Sequence, residues 1–314
     1  MKPKIIFFGT PDFAVGILNE IYQRQYSIDA VVTSADQKSG RGRKIKGSSV
    51  KDYCISKKIK LYQPISLKEK SFLSKLKRHN SDLFIVVAFR MIPKIVWSIP
   101  SMGTFNLHAS LLPNYRGAAP INWAIINQEK VTGVTTFLID EKIDTGKILL
   151  NSKYLIKKDE TFDSLHYNLL KIGKPLVIET IEVLFNGNVS PQEQINCKNQ
   201  KIAPKLTKEN TKINWNNSLS QIVSFIKGLN SYPGAWAEIL DHGTVNTFKI
   251  FESDFEYTSH NYDNNELIVI GKQIKISHKE GFLIINNLQL PNKKRLSSNQ
   301  LLNGYSFNTG VFIS

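Results

Sequence analysis

Cysteine is nearly absent from this chain of 314 residues: Cys54 and Cys197 are the two present, with no paired spacing. That excludes a disulfide framework and a zinc site built on clustered thiolates, and it predicts a reducing, cytoplasmic setting. Long apolar runs are also missing. Met1-Lys2-Pro3-Lys4 is followed by only four apolar residues before Gly9, too few for a signal peptide. No run approaches the roughly 20 residues of a membrane span, so no membrane partner is expected. A lone glycine in the first strand-to-helix turn falls short of the glycine-rich fingerprint of a dinucleotide site. His79, His166, His242, His260 and His278 share no metal-ligand spacing, and no metal is expected. Acidic residues are scarce, 26 Asp and Glu against 41 Lys and Arg, which leaves a net charge of +15. A field of that sign favours encounter with phosphates, although a solvated basic surface accounts for charge alone equally well.

What is present reads as two domains, each large enough for its own core. Residues 5–8 form a buried strand, 13–24 a helix and 30–33 a second strand, the start of a β-α-β unit. Helices are expected over 50–57 and 67–78, with a short strand at 61–62 between them. Residues 82–88 are apolar on both faces, as a doubly wound sheet requires of a central strand. A helix over 161–185 carries Leu165, Leu169, Ile172, Leu176, Ile181 and Leu184 at helical spacing, with a cap at 159–161 and a stop at 186–188. Residues 189–212 are polar and aperiodic. Beyond 213 the texture changes to one helix, 219–229, and short strands at 245–251, 266–270, 273–276 and 282–288, which together predict a small β-barrel.

The chemistry concentrates at residues 104–113. An extended stretch from Thr104 to Ser110 puts Asn106, His108 and Ser110 on one face. Pro113 and Pro120 then enclose a tight loop that leads into a helix at 121–127, and a strand end followed by such a loop is where open α/β sheets hold ligands. A His beside an Asn reads equally well as a simple hydrogen-bonded pair. Asp144 adds to it: it follows a second apolar run, 134–139, and brings a carboxylate beside the imidazole if the two strands are neighbours. Asn106, His108 and Asp144 then form a set suited to acyl transfer. Residues 34–60 hold nine Lys or Arg against two acids, with glycines alternating with cations at 38–47. Such a loop suits gripping phosphates and ordering on binding, or else simple solvation.

Residues 106–121, Asn-Leu-His-Ala-Ser-Leu-Leu-Pro-Asn-Tyr-Arg-Gly-Ala-Ala-Pro-Ile, with Ile143-Asp144-Thr145-Gly146 downstream, closely resemble the folate-dependent formyltransferases, nearest to the branch that acts on methionyl-tRNA. The resemblance spans essentially the whole chain. It implies an α/β, doubly wound Rossmann-like formyltransferase domain over 1–188, a linker over 189–208, and a small OB-like β-barrel domain over 209–314 that helps hold tRNA. It implies 10-formyltetrahydrofolate as co-substrate, lying against Ser110, Leu111, Leu112 and Pro113, and initiator Met-tRNA as partner of a monomeric enzyme in translation initiation. The basic loop, with Arg41 foremost and Arg43, Lys44 and Lys46 beside it, is then expected to enter the acceptor arm.

The implied chemistry suits the triad. An α-amino group has a pKa of about 8 and must lose a proton before it attacks. His108 is the expected general base, Asp144 orients its ring and favours its charged form, and Asn106 stabilises the developing oxyanion. Ser110 lacks a dedicated base and reads as a hydrogen bonder, not a nucleophile. Two positions depart from the family pattern: Arg90 and Ala109 each stand where glycine is usual. Residues 205–314 hold eleven Lys or Arg against nine acids, so any tRNA face there is local, around Lys293-Lys294-Arg295. The competing readings are a sugar-nucleotide formyltransferase, which shares the triad, a formyltetrahydrofolate hydrolase, and an RNA-binding protein without activity, which would keep the charge and lose the triad.

Overall fold

The computed structural model describes residues 2–39, 44–195, 198–241, 243–308 and 311–314. The chain divides into two compact units, one of Met1–Gly117, Val131–Tyr154 and His166–Ile202, the other of Ala118–Lys130, Leu155–Leu165 and Ala203–Ser314.

The first unit begins with β1 (Lys4–Gly9), α1 (Asp12–Gln23) and β2 (Ser27–Val32), followed by the hairpin strands β3 (Gln37–Ser39) and β4 (Lys44–Lys46). Next come α2 (Ser49–Lys57), β5 (Leu61–Tyr62), α3 (Lys70–Arg78), β6 (Leu83–Val87), α4 (Lys94–Trp97), β7 (Thr104–His108) and the two-residue β8 (Arg116–Gly117). After α5 (Pro120–Ile126), which belongs to the second unit, β9 (Val131–Leu138) and β10 (Ile148–Leu155) return to the sheet, and α6 (Phe162–Phe185) follows. The expected helix at 67–78 thus starts three residues late.

The seven-stranded sheet has the order β10-β9-β7-β6-β1-β2-β5. β1 pairs in parallel with β2 and β6, β2 with β5 and β6 with β7, whereas β9 runs antiparallel to β7. This is a Rossmann-like sheet with an antiparallel extension. Ile5, Ile6, Phe7 and Phe8 of β1 and Leu83, Phe84 and Ile85 of β6 are fully buried, which explains their uninterrupted apolar sequence. Each such side chain contributes about 1.5–3 kcal/mol on burial. Gly9 ends β1 where a side chain has no room: a Cβ would lie 2.6 Å from that of Ala14 and 3.2 Å from the Val87 carbonyl oxygen.

β7 is shorter than its sequence suggests. It ends at His108, paired with Thr135 of β9, and the chain bends through Ala109 and Ser110. The reason is a side chain that replaces the ladder: Thr135 Oγ1 donates to the Ser110 carbonyl at 2.6 Å and accepts from Leu112 N at 3.2 Å.

The two-residue β11 (Ile202–Ala203) ends the first unit's last segment and opens the second's, where a 3-10 turn (Glu209–Thr211) leads to α7 (Leu219–Leu229). Ser218 caps α7 in a reciprocal box with Gln221, and Leu219, Ile222, Val223, Ile226 and Leu229 pack into the core. The strands are β12 (Ala235–Asp241), β13 (Thr244–Tyr257), β14 (Glu266–Ile270), β15 (Gln273–His278), β16 (Gly281–Gln289) and β17 (Leu296–Ser297), then α8 (Ser298–Leu302) and β18 (Val311–Ile313). The order β13-β12-β18-β14-β15-β16 closes through β13 and β16 into a six-stranded antiparallel barrel, which leaves those strands no open edge. α8 and β18 escape a sequence reading because they are short, and β12 because Ala235-Trp236-Ala237-Glu238-Ile239-Leu240-Asp241 lacks a clean apolar–polar alternation. Among the described residues no helix is long and apolar enough to cross a membrane.

Candidate active site

The candidate site lies in the first unit, where β7 ends and two loops, 109–117 and 139–147, meet. His108 is 6% exposed. Its Nε2 lies 2.8 Å from the Tyr115 carbonyl oxygen. A carbonyl only accepts, so Nε2 carries the hydrogen and Nδ1 of the neutral ring keeps its lone pair. Nδ1 lies 3.7 Å from Asp144 Oδ2, beyond a direct hydrogen bond but well within electrostatic reach. Tyr115 reaches this position through a left-handed backbone, φ 61°, and its amide donates to Lys201 O at 2.7 Å.

Asp144 is also left-handed, with φ 55°. Asp tolerates that region better than most residues, and two bonds hold it there. Its Oδ2 accepts from Gly117 N at 2.9 Å, and its backbone carbonyl accepts from Gln194 Nε2 at 3.0 Å. Asp140 shapes the start of the same loop by accepting from Lys142 N and the Thr145 hydroxyl. Lys94 of α4 pairs with Glu141 at 2.7 Å and holds that carboxyl below its usual range.

Asn106, two residues before His108 on β7, is half-buried, and its Oδ1 is buried without a hydrogen-bond partner. Such an atom costs about 1–3 kcal/mol unless something satisfies it. Arg116 adds a cation: burial lowers its pKa, while Asp144 and Asp140 act in the opposite direction. Among the described residues, no group of three or more His, Cys, Asp or Glu could hold a metal ion.

Asn106, His108 and Asp144 are therefore brought together. Ser110 is fully buried, and its hydroxyl donates to Asn114 O at 2.7 Å, so it fastens the loop from within. Leu111 and Pro113 are half-buried and Leu112 is buried, with the Leu112-Pro113 bond cis. Arg90 is exposed and donates to the carbonyls of Pro64 and Ile65. Arg41 and Arg43 lie outside the described residues, and Lys44 and Lys46 are described only by their backbone in β4.

Sequence reasoning missed Thr135, Tyr115 and Gln194. Thr135 sits inside a run that reads simply as a strand, Tyr115 acts through its backbone, and Gln194 lies in a polar stretch without periodicity. Thr135 and Gln194 carry no local signal because their partners are distant in sequence, and Tyr115 carries none because the carbonyl it offers His108 is present in every residue type.

Residues 3–181 match the formyl transferase family model and residues 205–306 that of the formyl transferase C-terminal domain. The chain is 51% identical to the methionyl-tRNA formyltransferase of Flavobacterium johnsoniae over 306 residues, 98% of this chain and 97% of that one. It is 42% identical to the methionyl-tRNA formyltransferase of Bacteroides thetaiotaomicron over 312 residues, with the same shares covered. Among solved structures, the N-formyltransferase from Helicobacter canadensis, crystallised with folinic acid and dTDP-3-aminofucose, matches with a TM-score of 0.63 at 24% identity, covering 92% of this chain and 100% of that one. HypX from Aquifex aeolicus in complex with tetrahydrofolic acid matches with a TM-score of 0.66 at 18% identity, over 96% of this chain and 47% of that longer one.

Proposed function

From the premise that this chain belongs to the methionyl-tRNA formyltransferase family, we propose that it transfers the formyl group of 10-formyltetrahydrofolate to the free amino group of initiator methionyl-tRNA. The observation that carries the reading is the convergence of Asn106, His108 and Asp144 at the end of β7, with His108 Nδ1 3.7 Å from Asp144 Oδ2. The co-substrate supplies an activated formyl carbonyl. Ser110, Leu111, Leu112 and Pro113 form the segment against which it would lie, and that segment is held rigid by Thr135 and by the Ser110 hydroxyl.

The rest follows from the chain's own groups. His108 takes the amine proton at Nδ1, because Nε2 is committed to Tyr115 O. The imidazolium that results faces Asp144 Oδ2 across 3.7 Å. Its new N–H and the Asn106 amide N–H donate to the oxygen on which charge develops, at about 3 kcal/mol for each such donor. His108 can then return the proton to the departing nitrogen. Tyr115 and Asp144 thus divide the task expected of Asp144 alone: the carbonyl sets the tautomer, and the carboxylate supplies the charge.

The reading includes domain boundaries of 1–188 and 209–314 with a linker between them, a cytoplasmic monomer, no metal, and a loop of Arg41, Arg43, Lys44 and Lys46 on the tRNA. Its test is incubation with 10-formyltetrahydrofolate and charged initiator Met-tRNA, measuring formyl-methionyl-tRNA, with Arg41→Ala alongside. Formylation by the wild type and a marked loss in the variant support acceptor and loop together. No formylation of Met-tRNA, with formylation of an amino-sugar nucleotide instead, overturns the acceptor.

A further inference from the structure

Gln194 makes four hydrogen bonds with one side-chain amide. Nε2 donates to the carbonyls of Asp144 at 3.0 Å and Gly146 at 2.7 Å, and Oε1 accepts from Arg116 Nε at 3.0 Å and Nη2 at 2.6 Å. An amide has two donor hydrogens and two acceptor lone pairs, so every position is used. No other side chain offers that set at that length. Glu keeps the acceptors for Arg116 and loses both donors, Asn is one methylene short, and an apolar residue loses all four.

The neighbours of Gln194 anchor in the same region. Gln192 exchanges backbone bonds of 2.8 Å with Ile148, just past the Asp144 loop, and Glu193 pairs with Lys147 at 2.9 Å. Further on, Gln200 Nε2 donates to Pro113 O at 2.5 Å, and Lys201 bonds both Tyr115 N and Asn114 Oδ1. Residues 192–194 therefore fasten the Asp144 loop and residues 200–201 the loop that holds Tyr115.

We propose that Gln194 is a positioning residue for formyl transfer: its donors hold the left-handed turn that keeps the Asp144 carboxylate 3.7 Å from His108. This inference rests on the catalytic reading of Asp144 and His108. It makes a polar stretch that looks like a bare connection into part of the active centre, so that a change in the path of that stretch alters the chemistry.

The test is steady-state formylation by the full-length protein with Gln194→Ala, Gln194→Glu and His108→Ala, with thermal midpoints recorded as a folding control. Both Gln194 variants are expected to lose kcat by about 10- to 100-fold, the range for partners that orient a working group, with the KM for each substrate little changed. Gln194→Glu, which still binds Arg116, is expected to be as impaired as Gln194→Ala. Adding Gln194→Ala to Asp144→Asn is expected to cost little more than Asp144→Asn alone. Unchanged kcat in Gln194→Glu, or full additivity with Asp144→Asn, overturns the proposal while an inactive His108→Ala leaves the catalytic reading intact. An active His108→Ala overturns both.

Discussion

His108 Nδ1 faces Asp144 Oδ2 across 3.7 Å, while the opposite ring nitrogen is tied to the Tyr115 carbonyl at 2.8 Å. The separation is too long for a direct hydrogen bond, and the Nδ1 side of the ring faces a carboxylate oxygen. In the proposed mechanism, a proton accepted by the ring arrives at Nδ1, the side that faces Asp144.

That arrangement separates two variants. His108→Ala removes the proton acceptor and is expected to lower the single-turnover rate by about 10²- to 10⁴-fold, the usual contribution of a positioned acid–base group. Asp144→Asn keeps the ring's bond to Tyr115 and removes only the charge, so a smaller loss is expected. Filter binding of tRNA by His108→Ala should match the wild type; equal turnover in His108→Ala and the wild type would contradict the assignment.

Thr135 gives a prediction of a different kind. Its hydroxyl donates to Ser110 O and accepts from Leu112 N inside the core, so Thr135→Val leaves a buried carbonyl and a buried amide without it. A stability loss of about 1–3 kcal/mol in urea unfolding is expected, together with weaker folate binding, because the Ser110–Pro113 segment loses its tether. A variant as stable as the wild type with unchanged folate affinity would show that the tether is dispensable.

Gly146 tolerates no side chain. A Cβ there would lie 1.6 Å from the Leu138 carbonyl oxygen, so Gly146→Ala must push the backbone apart two residues from Asp144. The expected result is a lower melting temperature, with a kcat loss even in the fraction that folds. Circular dichroism melts and active-site titration of the soluble protein check both parts.

Cys54 is fully buried, and burial pushes its thiol up to about 12. In a Cys197→Ser background, the native protein is expected to resist alkylation at pH 8 and to react once unfolded. The sign of the pH effect follows. An unfolded thiol titrates near 8.5, so above that pH the unfolded chain loses a proton that the native state retains. Stability should fall as pH rises between about 8.5 and about 12, and Cys54→Ala should flatten that limb of the urea-unfolding profile.

Much of this was legible in the sequence because its signals are local. The unbroken apolar runs of β1 and β6 require burial on both faces, and the helical spacing of α6 and α7 defines those helices almost to their ends. Asn106 and His108 lie on one short strand, and Asp144 follows the next apolar run, so one strand pairing suffices to bring the three together. The tertiary structure decided everything that depends on a backbone group meeting a distant side chain. That Tyr115 fixes the imidazole tautomer, that Thr135 ends β7 at His108, that six strands close into a barrel and that Gln194 grips the Asp144 turn all rest on hydrogen bonds between residues whose types alone do not announce them. A carbonyl or an amide is present at nearly every position, and only the fold selects which ones meet.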